Sequence, residues 1–210
     1  MNFTHFKKHI STLKQHSIGG LDAQFSLAPK LRLKYTEEKI NAFNPKKAAV
    51  AALFYPNSKN ETCFLLTLRA NYNGTHAAQI SFPGGKFEIQ DTSLKNTALR
   101  ETNEEVGALI ENIVVFKQMT DVYIPPSNFI VTPFLGYVNT IPTFKKNHEV
   151  AEIISVTVQD LLNEKSITST TLSTSYAKNI EVPCFVLNNY IVWGATAMIL
   201  NEIKELLKKI

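Results

Sequence analysis

Two cysteines in 210 residues, Cys63 and Cys184, exclude a disulfide framework. Long hydrophobic runs are also missing. The longest wholly apolar stretch, residues 48–55, is less than half of what a membrane-crossing helix needs. The opening MNFTHFKKHISTLKQH breaks up any signal-peptide core with lysine and histidine, so a cytoplasmic location is expected. Arginine is scarce, at Arg32, Arg69 and Arg100 only, and no internal repeat is present. The net charge of +4 is mild but uneven, +6 over residues 1–47 and −2 over the rest. The lysines of the basic arm are spread out, without the arginine clusters or interleaved aromatics of a nucleic-acid footprint, so no nucleic-acid partner is expected.

What is present is a foldable chain. Hydrophobic residues make up 44% and charged residues 19%, with 13 Phe and 7 Tyr, enough for a real core in one domain. Phe3, Phe6, Ile10 and Leu13 recur at helical spacing, and a second helix is expected over 37–42, before Pro45. From Lys47 the pattern turns strand-like, with 48–55 and 62–68 joined by a Pro-Asn-Ser-Lys-Asn turn as a hairpin. A helix is expected over 94–106, closed by Gly107. Strands are expected at 113–119, 129–138 and 152–157, a short helix at 160–163, and a polar hairpin over 166–175 leading into a strand at 180–186. Residues 193–210 read as an amphipathic helix. These elements predict an α+β or α/β/α sandwich, with residues 1–45 as an N-terminal helical extension and residues 46–210 as the main domain.

The informative segment is Arg100-Glu101-Thr102-Asn103-Glu104-Glu105-Val106-Gly107. At about 100° per residue, Glu101, Glu104 and Glu105 share one helical arc, while Ala98, Leu99, Thr102 and Val106 share another that can pack on a sheet. Clustered carboxylates repel, and a cation relieves them; oxygen-only ligands with no nearby His or Cys point to Mg²⁺ or Mn²⁺ and away from Zn²⁺. A solvated acidic face is the competing reading. Upstream, Pro83-Gly84-Gly85 lets the backbone turn sharply and approach a phosphate closely. Arg100, at i,i+4 from Glu104, can pin that carboxylate.

Gly84-Gly85, Glu88, Asp91 and Arg100-Glu101-x-x-Glu104-Glu105-x-Gly107 together resemble the Nudix box of hydrolases that split nucleoside diphosphates linked to another group. In the common pattern seven residues separate the acidic position from the arginine; here eight separate Asp91 from Arg100, which leaves the role of Asp91 open. The coenzyme A pyrophosphatase subgroup is a closer resemblance. Its upstream signature is matched by Leu65-Leu66-Thr67-Leu68-Arg69, His76 and Gln79-Ile80-Ser81-Phe82-Pro83-Gly84-Gly85, with Ala78 in place of a glycine. Residues 191–197 are similar to it as well.

The resemblance implies a Nudix fold, a mixed central β-sheet flanked by helices. It further implies divalent-metal-dependent hydrolysis of coenzyme A or its derivatives to 3′,5′-ADP and 4′-phosphopantetheine. Another nucleoside diphosphate derivative, such as ADP-ribose or a dinucleotide, is the alternative substrate, and a non-catalytic binding module is a third reading. Glu101, Glu104 and Glu105 are the implied metal ligands for Mg²⁺ or Mn²⁺. Arg100 and Glu104 are implied in catalysis, with Glu149 or Glu152 as a downstream base or extra ligand; an exposed charged turn explains that pair equally well. Arg69, His76, Phe82, Gly84 and Gly85 are implied in substrate binding. Arg69 can alternatively brace a strand end, and His76 can be structural. Trp193 is expected to pack the last helix, with a base-stacking platform as the alternative, the two cysteines to fill core space, and residues 123–126 to form a rigid loop or a pocket rim. The expected partner is a small-molecule nucleotide, with no membrane contact and a homodimer as candidate assembly.

Overall fold

The strand that begins at Lys46 organises the fold because both of its faces are apolar, the composition of a central strand covered on two sides. The structure is a computed structural model describing residues 1–29, 36–70, 79–173 and 179–210. Four short helices come first: α1 (Phe3–Lys8), α2 (Ile10–Gln15), α3 (Gly20–Phe25) and α4 (Glu37–Ala42). The hairpin of β1 (Lys46–Pro56) and β2 (Thr62–Arg69) leads to β3 (Ile80–Ser81) and β4 (Gly84–Lys86). Helix α5 (Leu94–Val106) is followed by β5 (Val114–Gln118), β6 (Val122–Ile124), β7 (Phe129–Tyr137) and β8 (Val150–Thr157). The chain ends with α6 (Val158–Leu162), β9 (Ile167–Leu172), β10 (Ile180–Leu187), β11 (Tyr190–Trp193) and α7 (Gly194–Leu207).

Among the described residues, β1 to β8 form one mixed sheet and β9, β10 and β11 a second, antiparallel one. β1 runs parallel to β7, from Lys46 opposite Phe129 to Phe54 opposite Tyr137. Its other edge pairs with β2 near Phe54 and with β4 near Ala48. Strand alternation then sorts the side chains. Ala49 and Ala51 pack with Ala98 of α5 and Phe134, whereas Ala52 and Phe54 enter the larger core with α1, α2 and α7. The result is helix, sheet, helix, as the element pattern predicts. Cys63 and Cys184 are buried core residues, and burial pushes both thiols up.

The terminal helix departs from expectation. Its predicted polar side is buried too: Asn201, Glu202 and Lys204 are almost inaccessible. For Asn201 and Glu202 the N-terminal segment lies over the helix. The Asn201 side-chain amide donates to the Ala23 carbonyl and to Ser26 Oγ. Glu202 accepts from the Gly20 N–H, the Gln24 side chain, and both the N–H and hydroxyl of Thr120. Lys204 reaches Glu164 at 3.1 Å. Among the described residues, no helix is long and apolar enough to cross a membrane.

Candidate active site

Helix α5 forms where the sequence places it because both ends are capped. The Ser93 side chain accepts from the Asn96 N–H, and Gly107 turns the chain in the left-handed region at φ 70°. The last carbonyls are taken up by the following loop: Lys145 N–H donates to Val106 and Asn147 N–H to Glu105. That loop delivers Glu149, whose carbonyl is tied to the Ala70 N–H beside Arg69.

The three helix carboxylates meet different surroundings. Glu105 is buried, and its Oε2 accepts from the Gly84 N–H at 3.2 Å. Burial pushes its carboxyl up to about 7, against the pull of Arg69 and the Gly84 N–H. Burial also raises Glu101. Its carboxylate lies against Gly85, where an added Cβ would stand 2.4 Å from Glu101 Oε1. Glu104 is half-exposed and reaches Arg100 at 3.0 Å. Repulsion within the cluster is thus relieved by two arginines. Arg100 holds Glu101 and Glu104, and Arg69 stands 3.6 Å from Glu105 and 4.0 Å from Glu149.

Asp91, whose role the altered spacing leaves open, is the main anchor of Arg100. It takes the guanidinium in two bonds, 2.6 Å from Nε and 3.0 Å from the terminal nitrogen, and also accepts from Thr97 and the Glu88 N–H. Those bonds from Arg100 hold the Asp91 carboxyl well below the usual carboxylate range. The eight-residue spacing is absorbed by Thr92, which sits in the left-handed region at φ 58° between a one-turn 3₁₀ helix and the Ser93 cap. That region is costly for a β-branched residue. The Asn96 amide donates to the Thr92 hydroxyl across this turn.

The two downstream candidates part company. Glu149 lies beside Arg69, and its charge acts on both Glu101 and Glu105. Glu152 instead acts on Tyr190, whose phenol it pushes up. Phe82 is buried in the core while lining a cavity, and His76 lies outside the described residues.

That cavity, about 300 Å³, opens next to Gly84 and Gly85. Its walls include Ile80, Ile124, Pro126, Phe129 and Trp193, with Arg69 shared between it and the carboxylates. Trp193 thus faces the cavity as well as preceding α7, and residues 124 and 126 do form a rim. Trp193 lies in the stretch that resembles the subgroup, whereas nothing in the motif marked Lys86; only the folded sheet brings it to the cavity.

Among the described residues, no three His, Cys, Asp or Glu side chains converge into a ready-made metal cage. A Mg²⁺-type ion needs less than a cage. It keeps several waters and takes one or two carboxylates plus substrate phosphate oxygens. Glu101 and Glu105, one turn apart on Gly84-Gly85, fit that demand, and the upward push on both carboxyls is what a bound cation offsets.

The NUDIX domain family model matches residues 45–173. A Yersinia pestis (strain Pestoides F) protein described as "Uncharacterized Nudix hydrolase NudL" is 30% identical over 164 residues, covering 78% of this chain and 81% of its own. Among solved structures, a Nudix hydrolase from M. smegmatis, RenU, superposes with TM-score 0.56 at 16% identity, over 79% of this chain and 88% of its own. A MutT protein from Methanosarcina mazei Go1 gives TM-score 0.50 at 20% identity, over 79% and 96%. The last two likenesses concern the fold.

Proposed function

The chain belongs to the Nudix family, and from that premise we propose that it hydrolyses the diphosphate bond of coenzyme A or a coenzyme A derivative. As a Nudix hydrolase it acts on a nucleoside diphosphate derivative, and such enzymes generally use divalent ions such as Mg²⁺ or Mn²⁺. The observation that carries the coenzyme A reading is that its upstream signature and the carboxylate helix build one site. Arg69 of the signature stands 3.6 Å from Glu105, and Gly84 donates its N–H to the same carboxylate.

Glu101 and Glu105 would hold a divalent cation, which would supply charge neutralisation and Lewis acidity towards the phosphate. The residues of the chain do the rest. Asp91 fixes Arg100, and Arg100 fixes Glu101 and Glu104, so the ligand set is oriented before substrate arrives. Gly85, lacking a side chain, leaves room for the Glu101 carboxylate and for close approach of the diphosphate. Glu149, half-exposed and beside Arg69, is the base that takes a proton from the attacking water. Water adds to one phosphorus as the bridging oxygen leaves on the other, giving 3′,5′-ADP and 4′-phosphopantetheine.

A substrate panel with products identified by mass spectrometry tests this reading. Coenzyme A is expected to turn over to those two products with Mg²⁺ or Mn²⁺. Hydrolysis of ADP-ribose or a dinucleotide with coenzyme A untouched overturns the substrate assignment.

A further inference from the structure

The short strand β4 divides the site by its pleat. Gly85 faces α5 and the Glu101 carboxylate, so Gly84 and Lys86 face the opposite side. Their partners on β1 are Val50 and Ala48, and all four line the cavity. Lys46, two residues before Ala48, belongs to the same face of β1, and its ammonium lies 5.9 Å from the ring centroid of Phe129, another cavity residue. Two lysines therefore stand at an apolar cavity that also takes in Gly85, Lys86 in its lining and Lys46 over the Phe129 ring. Lys86 is exposed and makes no salt bridge to a described residue, whereas Arg69 is drawn to Glu105 and Glu149.

We propose that this cavity receives the adenosine half of the substrate and that Lys86, with Lys46, reads its 3′-phosphate. The inference rests on the coenzyme A reading and assigns its two halves. At about 300 Å³ the cavity is at the small end of ligand sites and holds only part of such a molecule. The pantetheine arm carries two amides that need hydrogen-bonding partners when buried. Two of the hydroxyls at the cavity are already engaged: Thr196 donates to the Ile80 carbonyl, and Ser81 shares a bond with Thr67. Flat apolar walls from Phe129, Trp193 and Pro126 suit a purine ring instead, and lysines at the rim suit a dianion. Arg69, which the resemblance implies in substrate binding, is thereby assigned to ordering the carboxylates.

Trp193 is the single tryptophan of the chain and reports on the cavity directly. Its emission is followed in wild type and in K46M/K86M, with 3′,5′-ADP, 5′-AMP and 4′-phosphopantetheine as separate probes and Mg²⁺ in the buffer. In wild type, 3′,5′-ADP is expected to shift the emission and to bind about tenfold more tightly than 5′-AMP. In K46M/K86M that difference is expected to vanish while 5′-AMP still binds. In turnover, the variant is expected to raise the Michaelis constant for coenzyme A about tenfold with kcat kept, and to leave dephospho-coenzyme A unchanged. A response to 4′-phosphopantetheine but not to 3′,5′-ADP overturns the assignment, as does an unchanged 3′,5′-ADP to 5′-AMP ratio in the variant. The binding arm needs no turnover, so the two readings fail separately. A wild-type protein that binds 3′,5′-ADP at Trp193 yet leaves coenzyme A intact keeps the subsite and loses the substrate.

Discussion

Asp91 and Glu105 are both buried carboxylates, and their neighbours set them opposite tasks. Asp91 is ionised and fully bonded, with Arg100 as chief partner. Replacing it by Asn removes a charge-assisted pair, at a cost of roughly 1.5–3 kcal/mol. It also loosens Arg100 from Glu101 and Glu104, so activity is expected to fall with stability. The pH dependence identifies the mechanism. Arg100 depresses the Asp91 carboxyl in the folded state, so its stabilisation is complete above the unfolded value of about pH 4 and fades as pH falls below it. Urea unfolding of wild type and D91N is therefore expected to differ most at neutral pH and to converge in acid. Glu105 is compensated only in part: burial works against its charge and outweighs the pull of Arg69 and the Gly84 N–H. Glu105→Gln keeps the shape, removes the cation ligand and relieves that burial cost. Turnover is expected to drop roughly 10²–10³-fold with the melting temperature unchanged or higher. Near-wild-type turnover in this variant would remove the carboxylate from the mechanism.

The glycines of β4 show how an element assigns different work to identical neighbours. A Cβ at Gly84 would meet the Ala49 carbonyl at 2.4 Å and Val50 Cα at 2.6 Å, and its φ is 155°. Backbone cannot yield there, so Gly84→Ala is expected to cost about 1–3 kcal/mol or more in stability. At Gly85 the obstacle is the end of the Glu101 side chain, which can swing away. Gly85→Ala is expected to keep most of its stability and lose activity by displacing a ligand; melting curves and turnover for both variants separate the two effects. The loss of activity at Gly85 was legible in the sequence, but the difference between the two glycines was not, since both read alike as a turn that lets the backbone approach a phosphate. A Gly-Gly strand has little β propensity and exists only because β1 pairs with it. Helix α5 and the β1–β2 hairpin, by contrast, were readable nearly to the residue, since caps, turn residues and periodicity are local signals. The parallel β1–β7 pairing, the Asp91–Arg100 bond across a left-handed Thr92, and the cavity on the far face of β4 are products of packing between distant segments.

At the scale of the whole molecule, the N-terminal helices share their core with the sheet. Phe3, Phe6, Leu13 and Leu27 belong to the same buried cluster as Phe54, Phe64, Leu135 and Leu200, and the Phe6 and Phe54 rings lie 5.0 Å apart. Glu202 adds a polar fastening between α7, the start of α3 and Thr120. The same helix α7 begins at Gly194 on the cavity wall, so whatever seats α7 also seats part of the site. Glu202→Ala leaves one buried and three part-buried donor bonds without their acceptor, at roughly 1–3 kcal/mol where burial is complete, and is expected to cost about 3–5 kcal/mol in all. Glu202→Gln retains one acceptor oxygen but turns an amide towards donors, and is expected to fall between. Hydrogen exchange resolves where the loss occurs. Protection in α3 is expected to drop first, with α5 and β1 following only near global unfolding. Deleting residues 1–45 is the harsher version, since it strips Phe54 and Phe64 of their cover, and the product is expected to be insoluble or to lack cooperative unfolding. A truncated chain that melts cooperatively and turns over substrate like wild type would mean that the shared aromatic cluster is dispensable and that β1 to α7 close a sufficient core by themselves.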